Sequence, residues 1–157
     1  MVIKYLESLE KAKYELMTAD HFAYVSLPLI KDNRLMLKIL EQLSKSILNL
    51  VNSILQFEYI NKKIEIYNNP QDNFSLFLNI CSKYTISLDE KEKIIELLKL
   101  AEEHKKSAME FVKSNKIVIM ASDSRTNILS IEKIKEYILV IKSLIKKTES
   151  KFNLNSK

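Results

Sequence analysis

With 157 residues, 46% of them apolar and 29% charged, the chain is sized for one globular domain that buries about 70% of its unfolded surface. It has no glycine and a single cysteine, Cys81. That composition excludes glycine-rich phosphate loops, dinucleotide-binding turns and an internal disulfide, and it fits a reducing compartment. The net charge of +5 lies in the second half: residues 1–79 balance nine Lys/Arg with nine Asp/Glu, whereas residues 80–157 set sixteen against eleven.

A first helix is expected from Ile3 to Val25, because Tyr5, Leu9, Ala12, Leu16, Ala19 and Ala23 share one face and Glu7, Glu10, Lys11, Lys13 and Glu15 lie off it. Pro28 should end or kink it, leaving Leu27 to Asn33 as a connection with Asp32 or Asn33 capping the next helix. That next helix, Leu35 to Tyr67, is the expected spine. Leu40, Leu43, Ile47, Leu50, Ile54 and Phe57 step by three and four, and Ile39, Leu48, Val51 and Leu55 widen the stripe. Uninterrupted, it would span about 45–50 Å. Asn68-Asn69-Pro70 should close it, followed by a short helix from Phe74 to Tyr84 with Phe74, Phe77, Leu78 and Cys81 inward. Ser87 and Glu90 form a capping box for a helix from Leu88 to about Lys106, with Ile94, Leu98 and Ala101 facing in. The β-branched run Lys116 to Ala121, a polar turn and Thr126 to Leu129 predict a small β-hairpin. Ser130 then caps a last helix carrying Ile131, Ile134, Ile138, Ile141 and Ile145. The tail from Ser150 should fray.

The expected fold is therefore all-α: a four-helix up-down bundle with one extra short helix and a small β-hairpin before the last helix. One domain covers residues 1–157. Asn49, Asn52 and Ser53 interrupt the longest apolar run, and no signal peptide is seen, so no membrane association and a cytoplasmic location are expected.

Chemistry-bearing residues are few. His21 and His104 lack the Glu-x-x-His pattern of di-iron bundles, since Thr18 and Ala101 occupy the offset position, so no metal or small-molecule cofactor is expected. Cys81 on an apolar face reads as core. Asp20, His21, Lys31, Asp32, Asn33 and Arg34 form a polar cluster if the first two helices are joined by a short loop. It reads either as an anion or catalytic site or, preferably, as caps and ion pairs at helix ends. Lys105, Lys106, Lys113, Lys116 and Arg125, opposed locally by Glu110 and Asp123, and the later Lys142, Lys146, Lys147 and Lys151 suggest a phosphate-contacting surface. The competing reading is a solvated face with dipole-favoured lysines. Only two arginines argue against base-specific recognition, and the exposed aromatics that single-strand binding would use are sparse beyond Phe111.

The opening ESLEKAKYELMTADHFAYVSLPL, the very long second helix and the amphipathic helices after it resemble the HEPN-like superfamily of small helical bundles, most closely small uncharacterised archaeal members. Active ribonucleases of that superfamily carry an Arg followed four to six residues later by His. Here Arg34 precedes leucine-rich sequence and Arg125 precedes TNILS, so no catalytic residue carries over. The resemblance implies the bundle and a homodimer. The function expected is a non-enzymatic interaction protein binding a protein partner or itself through an exposed apolar face. The alternative is RNA or other nucleic-acid binding through the basic second half.

Overall fold

The computed structural model describes residues 3–107, 109–121, 123 and 125–153. Its elements run α1 (Lys4–His21), α2 (Leu27–Ile30), α3 (Leu35–Ile60), α4 (Pro70–Ile80), α5 (Leu88–Lys106), β1 (Met109–Lys113), β2 (Lys116–Met120), β3 (Thr126–Leu129) and α6 (Ile131–Lys151). The molecule is mostly helical, and the strands form one antiparallel sheet in the order β1-β2-β3. It is thus not all-α, and the expected hairpin is a three-stranded sheet. The pairing of Lys116–Met120 with Thr126–Leu129 is as the sequence suggests; β1 is the addition.

α1 lies antiparallel along α3, with Leu9, Ala12, Leu16, Ala19 and Ala23 all buried in the seam. The alanines let the backbones approach, and hydroxyls of α3 reach carbonyls of α1: Ser46 Oγ donates to Ala12 at 2.7 Å and Ser53 Oγ to Tyr5 at 2.6 Å. These bonds satisfy polar groups that would otherwise cost free energy in the core. α6 runs antiparallel to α1 through Lys13–Glu149 and Asp20–Lys142, and to α5 through Lys93–Glu136 and Lys147–Glu90. Phe152 is buried, stacked on Phe57 at 4.2 Å with Tyr5 edge-on, so the chain is packed past Ser150, where fraying was expected. Residues 154–157 lie outside the described part.

Boundaries differ from the sequence reading at three elements, including the short helix, which runs Pro70–Ile80 and not Phe74–Tyr84. The first helix does not stop near Val25. A π-turn, Phe22–Ser26, in which the Leu27 N–H reaches Phe22 O, carries the chain into α2. Pro28 removes the bond that Tyr24 O would accept, and the wider turn just before it relieves the ring's clash with that carbonyl. The spine also ends seven residues before Tyr67. Lys62 adopts φ 59°, its N–H bonds Tyr59 O, and the Lys63 N–H bonds Glu58 O, a Schellman motif with lysine where glycine is usual. Asn69-Pro70 does not close the spine but starts α4, with Asn69 Oδ1 accepting from the Gln71 N–H. At the head of α3 no side chain caps the helix; Asp32 instead accepts from the Arg34 N–H. Of the broad α3 stripe only Leu48, 52% exposed, is left uncovered; Ile39, Val51 and Leu55 are buried.

Candidate functional site

The expected polar cluster divides. Because helix continues through Ile30, Lys31 sits about 15 Å further along the axis than His21. Asp20 turns to α6 and accepts from Lys142 Nζ at 3.4 Å, while His21 is exposed beside Phe22. Lys31, Asp32, Asn33 and Arg34 lie in the α2–α3 loop and meet a different element. Asn33 Nδ2 donates to Asn115 Oδ1 at 3.3 Å, across 82 residues of sequence. Asn115 is the second residue of the two-residue β1–β2 turn, in which Ser114 and Asn115 take φ 51° and 63°, the twist a tight hairpin requires.

This contact places Lys31 and Arg34 at the same corner as Lys113 and Lys116, which are cross-strand partners at the hairpin end. All four are exposed, and no described carboxylate lies within 4.0 Å of any of their charged groups. Like charges placed opposite each other on a sheet are destabilising unless something anionic lies between or beside them.

Other expected cations are locally neutralised. Lys106 pairs with Glu102 at 2.8 Å, Arg125 with Asp123 at 2.6 Å, and Lys147 with Glu90 at 2.6 Å while also donating to Thr85 O. Lys151 lies over the Tyr84 ring. Burial alone would raise the Glu90 carboxyl, but Lys147, the Ser87 N–H and Ser143 together hold it below the usual carboxylate range. Lys105 is exposed at the end of α5. Lys142 and Lys146 line an open groove of about 710 Å³ between α1 and α6, floored by Leu16, Met17, Leu139 and Ile145. The basic residues therefore form no single face.

Beside the cationic corner is the outer face of the sheet. Ile117, Ile119 and Leu129 point inward and are buried, so their strand neighbours point out. Phe111, Val118 and Ile128 form one cross-strand row there and Met109 with Met120 another. Met109 is 55% exposed and Ile128 44%. A face of alternating strands with apolar residues on both sides is uncommon for a sheet covered on one side only.

Sequence reasoning missed a titratable group that joins three elements. His104, on the last turn of α5, has Nδ1 2.5 Å from Glu110 of β1 and Nε2 2.8 Å from Glu41 of α3. Burial lowers its basicity, but hydrogen bonds from both ring nitrogens to carboxylates outweigh burial, and the ring is held above the usual histidine range. The imidazolium ties three elements together. Cys81 is buried, as expected of a core residue, and burial pushes its thiol up to about 11. Buried Glu58 accepts from the Tyr84 hydroxyl at 3.0 Å. Among the described residues, no group of His, Cys, Asp and Glu is arranged to hold a metal, and no helix is long and apolar enough to cross a membrane.

The chain matches no family model, no curated protein and no solved structure.

Proposed function

We propose that the chain is a non-enzymatic interaction protein: a four-helix up-down bundle, HEPN-like without the ribonuclease motif, that presents a small sheet as its docking surface for a protein partner. The observation that carries this reading is the apolar row Phe111–Val118–Ile128 on the outer face of the sheet, with Ile128 exposed and Phe111 and Val118 half-buried, exposed Met109 and half-buried Met120 beside it, and an unneutralised cationic corner at one end. Exposed apolar surface on a folded domain costs solubility and is usually retained for contact. Asp20, His21 and Arg34, the residues an unrecognised catalytic site would need, are spread between the α1–α6 seam and the hairpin corner.

The test is site-specific photo-crosslinking in the native cell, with the photoreactive residue placed at Ile128 or Met109 and at Asn61 as a control. Discrete protein adducts at the sheet positions and none at Asn61 are expected. Equal labelling at all three positions would remove the sheet as a docking surface.

One observation favours RNA as a second reading: Lys31, Arg34, Lys113 and Lys116 converge through the Asn33–Asn115 contact. Mixed-sequence single-stranded RNA should then bind at low salt, weaken steeply as salt is added, and bind less when Lys113 and Lys116 are changed to Glu. Absence of binding at low salt removes this reading.

A further inference from the structure

The two edges of the sheet are treated differently. In an antiparallel pair the residues alternate between those whose N–H and C=O face the partner strand and those whose groups face away. The two-residue turn makes Lys113–Lys116 a bonded pair, so Phe111–Val118 and Met109–Met120 are bonded too. Glu110 and Val112 consequently point their N–H and C=O groups outward from β1. The same alternation on the other side, fixed by the Ala121 N–H bonding Arg125 O, turns Thr126 and Ile128 outward from β3. There Lys133 Nζ reaches over and donates to Ile128 O at 2.9 Å, covering that edge with a charge. Among the described residues, no hydrogen bond takes the backbone groups of Glu110 or Val112. The helix beneath the sheet, α5, packs closest to β2 and reaches β1 through the His104–Glu110 side-chain bond, which uses none of the backbone groups of β1.

We propose that the open edge of β1 accepts an extended, acidic segment of a partner protein as a fourth strand. This rests on the docking role argued above and names the partner's chemistry. An added strand would satisfy the outward groups of Glu110 and Val112, the mode by which sheet edges capture peptides. Its outward side chains would lie beside Met109 and Phe111 and extend the apolar row, which calls for apolar residues at alternate positions. Past the strand end it meets Lys113, Lys116, Lys31 and Arg34, with Asp32 the one carboxylate in the loop, which calls for Asp or Glu there.

Charge decides against a second copy as the occupant. Two β1 strands paired antiparallel about Phe111 would set Lys113 level with Met109 of the other copy, so the cationic corner would face the end of α5, where exposed Lys105 lies and offers it no negative charge. Nucleic acid could use the lysines, but its backbone offers nothing that matches a row of peptide N–H and C=O groups.

The experiment measures amide hydrogen exchange of Glu110 and Val112 by NMR in the intact protein, with and without a synthetic peptide that alternates Val and Thr and carries Glu residues at one end. Both amides should exchange freely alone and slow by at least about tenfold with the peptide; the Lys counterpart of the peptide should have no effect. Val112→Pro removes an N–H that makes no internal bond, at an edge position where proline is tolerated. It should abolish peptide binding with helical circular dichroism unchanged. Lys113→Glu with Lys116→Glu should weaken binding about tenfold. The proposal is overturned if the two amides stay unprotected, or if Val112→Pro leaves peptide binding intact. It is equally overturned if light scattering shows a dimer that Val112→Pro dissolves, or if RNA binds in a manner that charge reversal abolishes and Val112→Pro does not touch. Cross-links at Ile128 with unprotected edge amides would overturn the fourth strand and keep the docking surface; protection without cross-links would do the reverse.

Discussion

The absence of glycine forces ordinary residues into left-handed backbone. Lys31, Lys62, Thr85, Ser114, Asn115 and Asn153 all have φ between 51° and 63°, each where a helix ends or a hairpin turns. A Cβ in that region costs about 1–2 kcal/mol. Lys62 is exposed at the Schellman turn after α3, so Lys62→Gly should raise stability by about 1 kcal/mol, read as a higher urea midpoint at unchanged slope. A lower midpoint would mean that the Lys62 side chain contributes more than its backbone costs. Buried Glu58 has the opposite sensitivity. Tyr84→Phe strips the hydroxyl that donates to it and should destabilise by about 1–3 kcal/mol. At this scale, what the sequence revealed was what acts locally. Ser87 with Glu90 and Ser130 with Lys133 are three residues apart and cap as expected. The contacts of Asn33 with Asn115 and of His104 with Glu41 join residues 82 and 63 apart, and nothing in local spacing marks them.

Elements were legible where one face repeats over several turns. The stripes read by three-and-four spacing are buried in α1 and α3 and over most of α6, because burial of a stripe is what makes the spacing persist; in α5 the buried face turns to Leu97 and Leu100, and the expected Leu98 is only half-buried. Their ends were less legible. Ile60, Ile64 and Ile66 continue an apolar pattern past the end of α3, and only the backbone of Lys62 stops the helix. β1 escaped because Met109–Lys113 is too short to separate alternation from helical spacing; its partner strand, not its own pattern, holds it. Once formed, β1 is fastened by His104, and this fastening depends on pH. The folded ring's pKa is raised above the ordinary value of 6.5, so its stabilising contribution is complete below that pH and is lost as pH rises through the raised value. Exchange of the Phe111 and Val118 amides, which face each other across the β1–β2 ladder, should therefore be faster in His104→Gln than in the parent at acidic pH. Near pH 9 the two proteins should converge. An equal difference at both pH values would mean that the ring acts by packing rather than charge.

Across the whole molecule, charge is divided between two jobs. Lys13, Lys93, Lys106, Lys142 and Lys147 sit in pairs that lace helix to helix or turn to turn, mostly at partly exposed positions. Exposed pairs of this kind contribute about 0–1 kcal/mol each and lose part of that in salt, while the repulsion of a net +5 chain is screened as well. The two effects oppose each other. Folding stability should thus change by no more than about 1 kcal/mol between low and high salt, measured by urea unfolding. The corner formed by Lys31, Arg34, Lys113 and Lys116 has no such internal compensation, and anything anionic bound there must feel the salt directly. Acidic-peptide binding should fall at least about tenfold over the same salt range in which the fold is nearly indifferent. A stability change as large as the binding change would place these four cations among the groups that hold the fold, and would leave the sheet edge with hydrogen bonding alone to recognise a partner.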